Sequence, residues 1–199
     1  MIDSLAPFPG AAWAVAPVSW SVDDGGVLTV VAAARTDVFT DPLTGVSTRS
    51  AARALAVPPD GDWQFSARVR VGFRTSWDAG ALVLWSDDDH WAKLNLEQAP
   101  DGTPTVFSVV TRGRSDDAVG VPVDSAALWL RISRLDGGFA FHTSVDGTTW
   151  CLVRQFALDA PSAPRVGVEV QSPVGEGCRV AFDDLRLTST RLGHLSDGT

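Results

Sequence analysis

The chain has 199 residues, a formal net charge of −8 at pH 7 and a hydrophobic fraction of 45%. This length suits one large all-β domain, and the hydrophobic fraction is ordinary for a globular protein. No apolar run approaches the ~20 residues that a membrane-spanning helix needs. Because the balance is acidic and the basic residues are scattered, nucleic acid and anionic membranes are poor candidate partners.

Residues 1–10 lack the basic and apolar regions of a signal peptide, so we expect a cytoplasmic protein. Cys151 and Cys178 match no zinc or redox spacing. In a reducing compartment they are expected to be free, buried, small apolar residues, with a disulfide between neighbouring strands as the alternative.

The first half of the chain shows patterns that are typical of short β-strands. Residues 20–32 predict a hairpin around a Gly-containing turn, residues 35–45 a loop, and residues 47–57 another strand. Residues 63–73 alternate strictly between apolar and polar side chains, which predicts a long strand with one face in a core.

Residues 80–98 predict a central hairpin. Its first arm, residues 81–86, is nearly all apolar, as expected of a strand that is covered on both faces, and residues 87–90 suit an exposed turn. The second arm alternates, so four varied side chains share one face: Trp91, Lys93, Asn95 and Glu97. A strand face that only meets solvent does not need an aromatic ring, a cation, an amide and a carboxylate side by side. This combination of side chains therefore indicates a ligand site.

The second half of the chain continues the β pattern. Residues 105–112 predict a strand, residues 113–120 a polar loop, and residues 128–156 a three-stranded meander with Asp-Gly turns. Two further strands are predicted at residues 165–172 and 179–188.

About a dozen short strands and no convincing helix predict a β-sandwich or barrel. Since the sequence contains no repeat and no interdomain linker, residues 1–191 are expected to form a single domain. Residues 192–199 are expected to be a flexible C-terminal tail.

Several segments together look like a known family. They are residues 78–84, 91–97, 108–116, 144–150, 154–156, 166–173 and 182–185. In that order they resemble the regulation of enolase protein-like family of uncharacterised domains, which has the concanavalin A-like lectin/glucanase fold. The resemblance spans residues 63–187, with weaker similarity at residues 36–39. It implies a jelly-roll sandwich of two curved antiparallel sheets with a concave face, but fold alone does not transfer an activity.

The rare charged residues strengthen the case for a site on that face. Lys93 is the only lysine beside fifteen arginines, and there are three glutamates, Glu97, Glu169 and Glu176, beside twenty-one aspartates. Biased codon usage explains the ratios but not the positions. Lys93, Glu97 and Glu169 all occupy strand positions that alternate with core-facing apolar residues.

The candidate ligand-binding residues come from four predicted strands and one rim. Alternation places Glu169 and Gln171 on one face of the strand at residues 165–172. It places Arg131 on one face of the strand at residues 128–135. Residues 111–116 would form the rim. The full set is Trp91, Lys93, Asn95, Glu97, Thr111, Arg112, Ser115, Asp116, Arg131, Glu169 and Gln171. Trp91 or Trp129 would supply a stacking face for a sugar.

Three functions remain open on these residues. We expect non-catalytic binding of a carbohydrate or a similar polar ligand. The first alternative is a glycosidase with Glu97 and Glu169 as its carboxylate pair, although the Glu-x-Asp-x-(x)-Glu cluster of the superfamily's glucanases is absent. The second is a cytoplasmic regulatory protein that binds another protein. Cross-strand Lys–Glu pairs also occur as simple surface complementarity.

No cofactor and no metal are expected. The three histidines are too dispersed for zinc. The acidic turn at residues 87–89 offers carboxylate oxygens to Ca²⁺, but an ordinary exposed hairpin turn explains it better.

Overall fold

Alternation of apolar and polar side chains builds the protein as two stacked sheets. The computed structural model describes residue 8 and residues 10–199. In that part of the chain sixteen strands form two seven-stranded antiparallel sheets and a small two-stranded hairpin. The strands are β1 (Ala12–Val15), β2 (Ser19–Val22), β3 (Leu28–Val31), β4 (Val38–Thr40), β5 (Ser47–Arg49), β6 (Ala52–Ala56), β7 (Trp63–Gly72), β8 (Ala79–Trp85), β9 (His90–Gln98), β10 (Pro104–Arg112), β11 (Arg114–Pro122), β12 (Ala127–Leu135), β13 (Gly138–Ser144), β14 (Cys151–Phe156), β15 (Arg165–Gln171) and β16 (Arg179–Thr188).

The two large sheets have interleaved strand orders. Sheet A runs β1-β6-β15-β8-β9-β10-β11, and sheet B runs β14-β13-β12-β7-β16-β3-β2. Strands β8 and β9 are adjacent at the centre of sheet A, as the central hairpin predicts. The structure confirms the predicted all-β sandwich. Residues 8 and 10–199 include no helix that is long and apolar enough to span a membrane.

The main core lies between the two sheets. In β7, Phe65 and Val69 are buried while Arg70 is exposed, because successive side chains point to opposite faces. In β9 the same rule sends Leu94 and Leu96 into the core. Each large apolar side chain that is buried in this way contributes about 1.5–3 kcal/mol.

A second, smaller apolar cluster covers part of the outer face of sheet A. The β4–β5 hairpin lies on that face, and the cluster consists of Val38, Ala51, Leu55, Val83, Trp85, Trp91 and Val109. Thr36 and Ser172 form an isolated β-bridge beside the hairpin. The backbone N–H of Thr40 donates to Ser115 Oγ at 2.9 Å. The hairpin is therefore held to the ends of β15 and β11.

Three segments differ from their predicted form. Residues 113–120 are predicted as a polar loop, but residues 114–120 belong to the strand β11. They lack clear periodicity because β11 is an edge strand and most of its side chains are exposed. Residues 35–45 and 47–57 contain strands β4, β5 and β6 rather than a loop followed by one strand.

C-terminal residues contact sheet B through Arg131 and His142. Leu192 is buried. The carbonyl oxygen of Leu195 is 2.7 Å from Nε2 of His142. Both cysteines are free thiols. Cys178 is buried as expected, but the expectation is wrong for Cys151, which is exposed on the edge strand β14.

Candidate ligand-binding site

A pocket of about 210 Å³ lies on the outer face of sheet A beside the β4–β5 hairpin. Its polar lining residues are Asp37, Lys93, Asn95, Glu97, Asp117 and Gln171. Its apolar lining residues are Phe39, Trp77, Val109 and Pro173. We call this the sheet A pocket. It combines hydrogen-bonding groups from four strands or strand ends with two aromatic side chains.

The register of three neighbouring strands explains why long polar side chains converge here. Strand β8 lies between β9 and β15 and carries small residues opposite the polar ones. Ala79 of β8 is paired with Glu97 of β9 on one side and with Gln171 of β15 on the other. Ala81 is paired in the same way with Asn95 and Glu169. Backbones two strands apart are about 9.6 Å from each other. Long side chains can therefore meet above the two alanines, where a larger residue would fill the space.

A chain of hydrogen bonds links these polar side chains. Lys93 Nζ donates to Oε1 of Gln171 at 2.5 Å and to Oδ1 of Asp37 at 3.4 Å. Oε2 of Glu97 accepts from the amide nitrogens of Asn95 at 2.9 Å and of Gln171 at 3.3 Å. Lys93 is only 2% exposed, so these contacts replace most of the water around its ammonium group.

Burial and charge shift the pKa values of the ionisable groups in this network. Burial raises the pKa of Glu97 to about 8, because attraction to Lys93 and the hydrogen bond from Asn95 offset only part of the desolvation. Burial likewise raises the pKa of Glu169 to about 7, and Lys93 again compensates only in part. For Lys93, burial lowers the pKa, but attraction to Glu169, Asp37 and Glu97 outweighs it and leaves the pKa raised. The ammonium group stays charged while the two glutamates readily hold protons.

Glu169 lies beside the sheet A pocket rather than in its wall. Neither of its carboxylate oxygens has a hydrogen-bond partner among the described residues, and both are buried. Arg53 is paired with Glu169 across the sheet. However, its guanidinium lies 4.0 Å from the ring centroid of Trp85 and donates to the carbonyls of Arg49 and Ala51. Glu169 therefore lies outside this hydrogen-bond network, and its effect on the network is to raise the pKa of Lys93.

The aromatic stacking face is different from the predicted one. Trp91 was expected to stack on a sugar, but it is fully buried. It stacks on Trp85 with ring centroids 6.0 Å apart, beneath the β4–β5 hairpin. That expectation is wrong because the hairpin covers this end of the outer face. Phe39 and Trp77 line the pocket instead.

Trp77 holds an unusual backbone conformation at the edge of the pocket. Its φ of 71° lies in the left-handed region, which costs of order 1–3 kcal/mol for a bulky residue. Its N–H donates to the carbonyl of Gln98 at 2.7 Å, and its carbonyl accepts from Nε2 of Gln171 at 3.2 Å. Its ring packs edge-on against Phe107, with centroids 5.9 Å apart. Strained residues of this kind cluster at ligand sites.

The predicted rim residues support the hairpin and the sheet edge instead of the pocket. Thr111 and Ser115 are buried with their hydroxyl oxygens 2.9 Å apart, and Ser115 anchors the hairpin. The Arg112 guanidinium donates to the carbonyl of Ala157 at 2.7 Å. None of these three predicted residues lines the pocket that the described residues form.

Asp116, the fourth rim residue, also lies away from the lining. Its carboxylate accepts from Nη2 of Arg154 at 2.6 Å. This ion pair connects the edge strand β11 to β14 of the other sheet. Asp116 therefore joins the two sheets at their edges.

Arg131 and Trp129 lie on the outer face of sheet B, so the expectation that they share a face with Lys93 is wrong. The Arg131 guanidinium lies 4.0 Å from the ring centroid of Trp150 and donates to the carbonyl of Gly198 at 2.7 Å. Trp129 Nε1 donates to Asp184 at 3.3 Å. Alternation along β12 was read correctly, but β12 belongs to the other sheet.

A family model described as "Protein of unknown function (DUF1349)" matches residues 13–190. The chain belongs to the DUF1349 family. It is 28% identical over 167 residues to Regulation of enolase protein 1 of Saccharomyces cerevisiae, covering 83% of each chain. These findings confirm the resemblance on which the sequence prediction rests.

Solved structures place this DUF1349 domain in the jelly-roll class. A functionally unknown protein from Saccharomyces cerevisiae superposes with a TM-score of 0.83 at 26% identity, covering 94% of this chain and 98% of that one. The GH43 protein BlXynB from Bacillus licheniformis gives 0.71 at 14% identity, covering 91% of this chain and 37% of that one. The carbohydrate-binding module CBM66 from Bacillus subtilis gives 0.55 at 14% identity, covering 90% and 96%. At 14% identity the last two show the fold alone.

Sequence reasoning missed six of the ten residues that line the DUF1349 pocket. The missed residues are Asp37, Phe39, Trp77, Val109, Asp117 and Pro173. Residues 36–39 already showed weak family similarity, which could have pointed to the first two. Val109 lies in the strand predicted at residues 105–112, and Asp117 lies in the polar loop predicted at residues 113–120.

Proposed function

We propose that this protein is a non-catalytic carbohydrate-binding domain whose site is the sheet A pocket. The observation that supports it best is the row of buried hydrogen-bonding side chains beside Phe39 and Trp77 in one pocket. A sugar offers hydroxyl groups around its edge and C–H groups on its faces. Polar groups that fix orientation, set among apolar and aromatic side chains, are the general composition of small-ligand sites.

The size and the unmet hydrogen-bonding capacity of the pocket suit one sugar ring. A volume of about 210 Å³ is below the ~300–1,000 Å³ of pockets for drug-sized ligands. Asn95 Oδ1 is buried and has no hydrogen-bond partner within the described residues, at a cost of about 1–3 kcal/mol. A ligand hydroxyl that donates to this oxygen would remove that cost.

The fold relatives are consistent with this proposal. CBM66 is a carbohydrate-binding module, and the superposition with it covers 90% of this chain. The chain spans 37% of the length of the GH43 protein BlXynB. A fold that occurs both as a binding module and as part of a glycoside hydrolase chain supports a sugar ligand.

The burial of Glu169 favours binding over glycoside hydrolysis. A glycosidase needs two carboxyl groups that flank the scissile bond. Glu97 lines the pocket, whereas Glu169 has both oxygens buried and lies outside the lining of the described pocket. A ligand in the pocket could contact Glu97 but not both glutamates.

Calorimetric titration of the whole chain with neutral pentoses, hexoses and their oligosaccharides tests the proposal. We expect saturable binding by at least one sugar, accompanied by a change in tryptophan fluorescence because Trp77 lines the site. Trp77→Ala and Asn95→Leu should each weaken binding about tenfold, the equivalent of about 1.4 kcal/mol. Trp129→Ala, on the outer face of sheet B, is the matched control. Absence of binding by every sugar, or equal affinity in Trp77→Ala and Trp129→Ala, would reject the proposal.

A further inference from the structure

Hydrogen-bond acceptors exceed donors in the sheet A pocket. Both amide N–H groups of Gln171 are used, one by the carbonyl of Trp77 and one by Glu97. Two of the three N–H groups of Lys93 are also used. By contrast, Asn95 Oδ1 is buried and has no partner among the described residues. A ligand in this pocket has to bring donors.

Carboxyl groups also outnumber ammonium groups in the lining of the pocket. Its lining includes three carboxyl groups, from Asp37, Glu97 and Asp117, and the ammonium group of Lys93. Glu169 adds a fourth carboxyl group next to this lining. Burial raises the pKa of Asp117 as well as that of Glu97, because Lys93 compensates only part of the desolvation of each. Arg53 acts on Glu169 and Arg154 acts on Asp117 in addition to Lys93, but burial still leaves both pKa values raised.

A metal ion does not suit this lining. Residues 8 and 10–199 contain no group of three or more His, Cys, Asp or Glu side chains placed to hold one. The ammonium group of Lys93, fixed among the carboxyl groups, would also repel a divalent ion. An organic ammonium group suits the site better, because it brings several N–H donors and a single charge. Aromatic faces such as those of Phe39 and Trp77 attract cations in addition.

We propose that the sheet A pocket prefers sugars with a free, protonated amine, the amino sugars, over neutral sugars, N-acetylated sugars and uronic acids. This inference rests on the proposed sugar-binding function. The amine donates to the unpartnered oxygen of Asn95 and to Glu97, while the ring packs against the aromatic lining. A uronic acid brings acceptors and a further carboxyl group into a pocket that has a surplus of both.

The test compares four ligands with one hexose skeleton on the whole chain at pH 6.5: glucosamine, glucose, N-acetylglucosamine and glucuronate. Because charge-assisted hydrogen bonds are about twice as strong as neutral ones, we expect glucosamine to bind about tenfold more tightly than glucose. N-acetylglucosamine should bind no more tightly than glucose, and glucuronate most weakly. If glucose binds but glucosamine binds equally or less well, or if glucuronate binds best, the amine preference is wrong and the sugar-binding function stands. If none of the four ligands and no sugar of the neutral panel binds, both proposals fail.

Glu97→Gln provides a matched variant. It keeps the shape and hydrogen-bonding pattern of a protonated glutamic acid, which is the form that burial favours here, so the fold should be retained. We expect this variant to lose most of the preference for glucosamine over glucose, measured as the ratio of the two affinities within the variant. An unchanged preference in the variant would contradict the assignment.

Discussion

Lys93 and Gln171 lie on strands that are not neighbours, yet Lys93 Nζ is 2.5 Å from Oε1 of Gln171. Strand β8 separates them and carries Ala79 and Ala81 at this level. The lysine side chain crosses β8 because these alanines leave room above it. A buried cation is thereby fixed among carboxyl groups, and the polarity of the sheet A pocket depends on this contact.

Removing the buried cation should destabilise the protein. Lys93→Met keeps an unbranched side chain but leaves Asp37, Glu97 and Glu169 without their partner. Breaking a buried ion pair from one side costs about 3–5 kcal/mol. We expect a fall in the free energy of unfolding near the lower end of this range at pH 7, because Asp37 is partly exposed. Urea denaturation followed by fluorescence measures it.

The double variant Lys93→Met/Glu97→Gln is the control for this prediction. Without Lys93 the pKa of Glu97 rises further, so Glu97 is protonated at pH 7 and the double variant should be about as stable as Lys93→Met at this pH. If Lys93→Met is as stable as the wild type at pH 7, the ammonium group does not stabilise the carboxyl cluster.

Stability should fall as the pH rises from about 5 to about 8. The pKa of Glu97 is raised from 4.5 to about 8 and that of Glu169 from 4.5 to about 7. In this window the folded state holds protons that the unfolded state releases, so deprotonation favours unfolding. Each carboxyl group contributes a slope of up to about 1.4 kcal/mol per pH unit. The raised pKa of Lys93 acts above its ordinary value of 10.5, outside this window.

The difference between the wild type and Glu97→Gln isolates the contribution of Glu97. Burial lowers the pKa of His142, which gives an opposite slope near pH 6 in both proteins and cancels in the difference. The wild type should lose stability relative to Glu97→Gln as the pH rises through this window. Urea midpoints at pH 5, 6, 7 and 8 measure the trend. A constant difference across these values would show that Glu97 titrates normally.

Local alternation was sufficient to predict much of sheet A. It predicted that β8 is covered on both faces, and every residue of β8 is buried. It also placed Lys93, Asn95 and Glu97 on one face of β9, and the structure brings all three to one pocket together with Gln171. These features follow from the two-residue period of a strand, which can be read in one short segment.

The failures concern relations between distant segments. Alternation correctly predicted that Arg131 lies on the outward face of β12. A sandwich has two outer faces, however, and only the strand order shows that β12 belongs to sheet B. In the same way, Trp91 was placed on the correct face of β9. What covers it is the β4–β5 hairpin, some forty residues earlier in the chain. Neither pairing has a signal in a single sequence, because hydrophobic cover depends on the tertiary fold.

Trp91→Phe should reduce stability without changing ligand affinity. Trp91 is fully buried and stacks on Trp85, so a smaller ring leaves a cavity that costs about 1–3 kcal/mol. Thermal unfolding measures the loss, and titration with the sugar that binds the wild type measures affinity. Loss of affinity comparable to that of Trp77→Ala would instead indicate that Trp91 reaches the ligand.

Arg131→Ala should free the C-terminal residues and leave the sheet A pocket unaffected. The Arg131 guanidinium connects Trp150 with the carbonyl of Gly198, on the opposite side of the sandwich from Lys93. Without it, residues 195–199 retain the contact between His142 and Leu195 but lose their hold near the chain end. Limited digestion with carboxypeptidase, followed by mass spectrometry, should therefore shorten the variant faster than the wild type. Sugar affinity should stay within about twofold, since side chains this far apart rarely couple. Weaker binding in this variant, with an unchanged digestion rate, would place Arg131 in the ligand site after all.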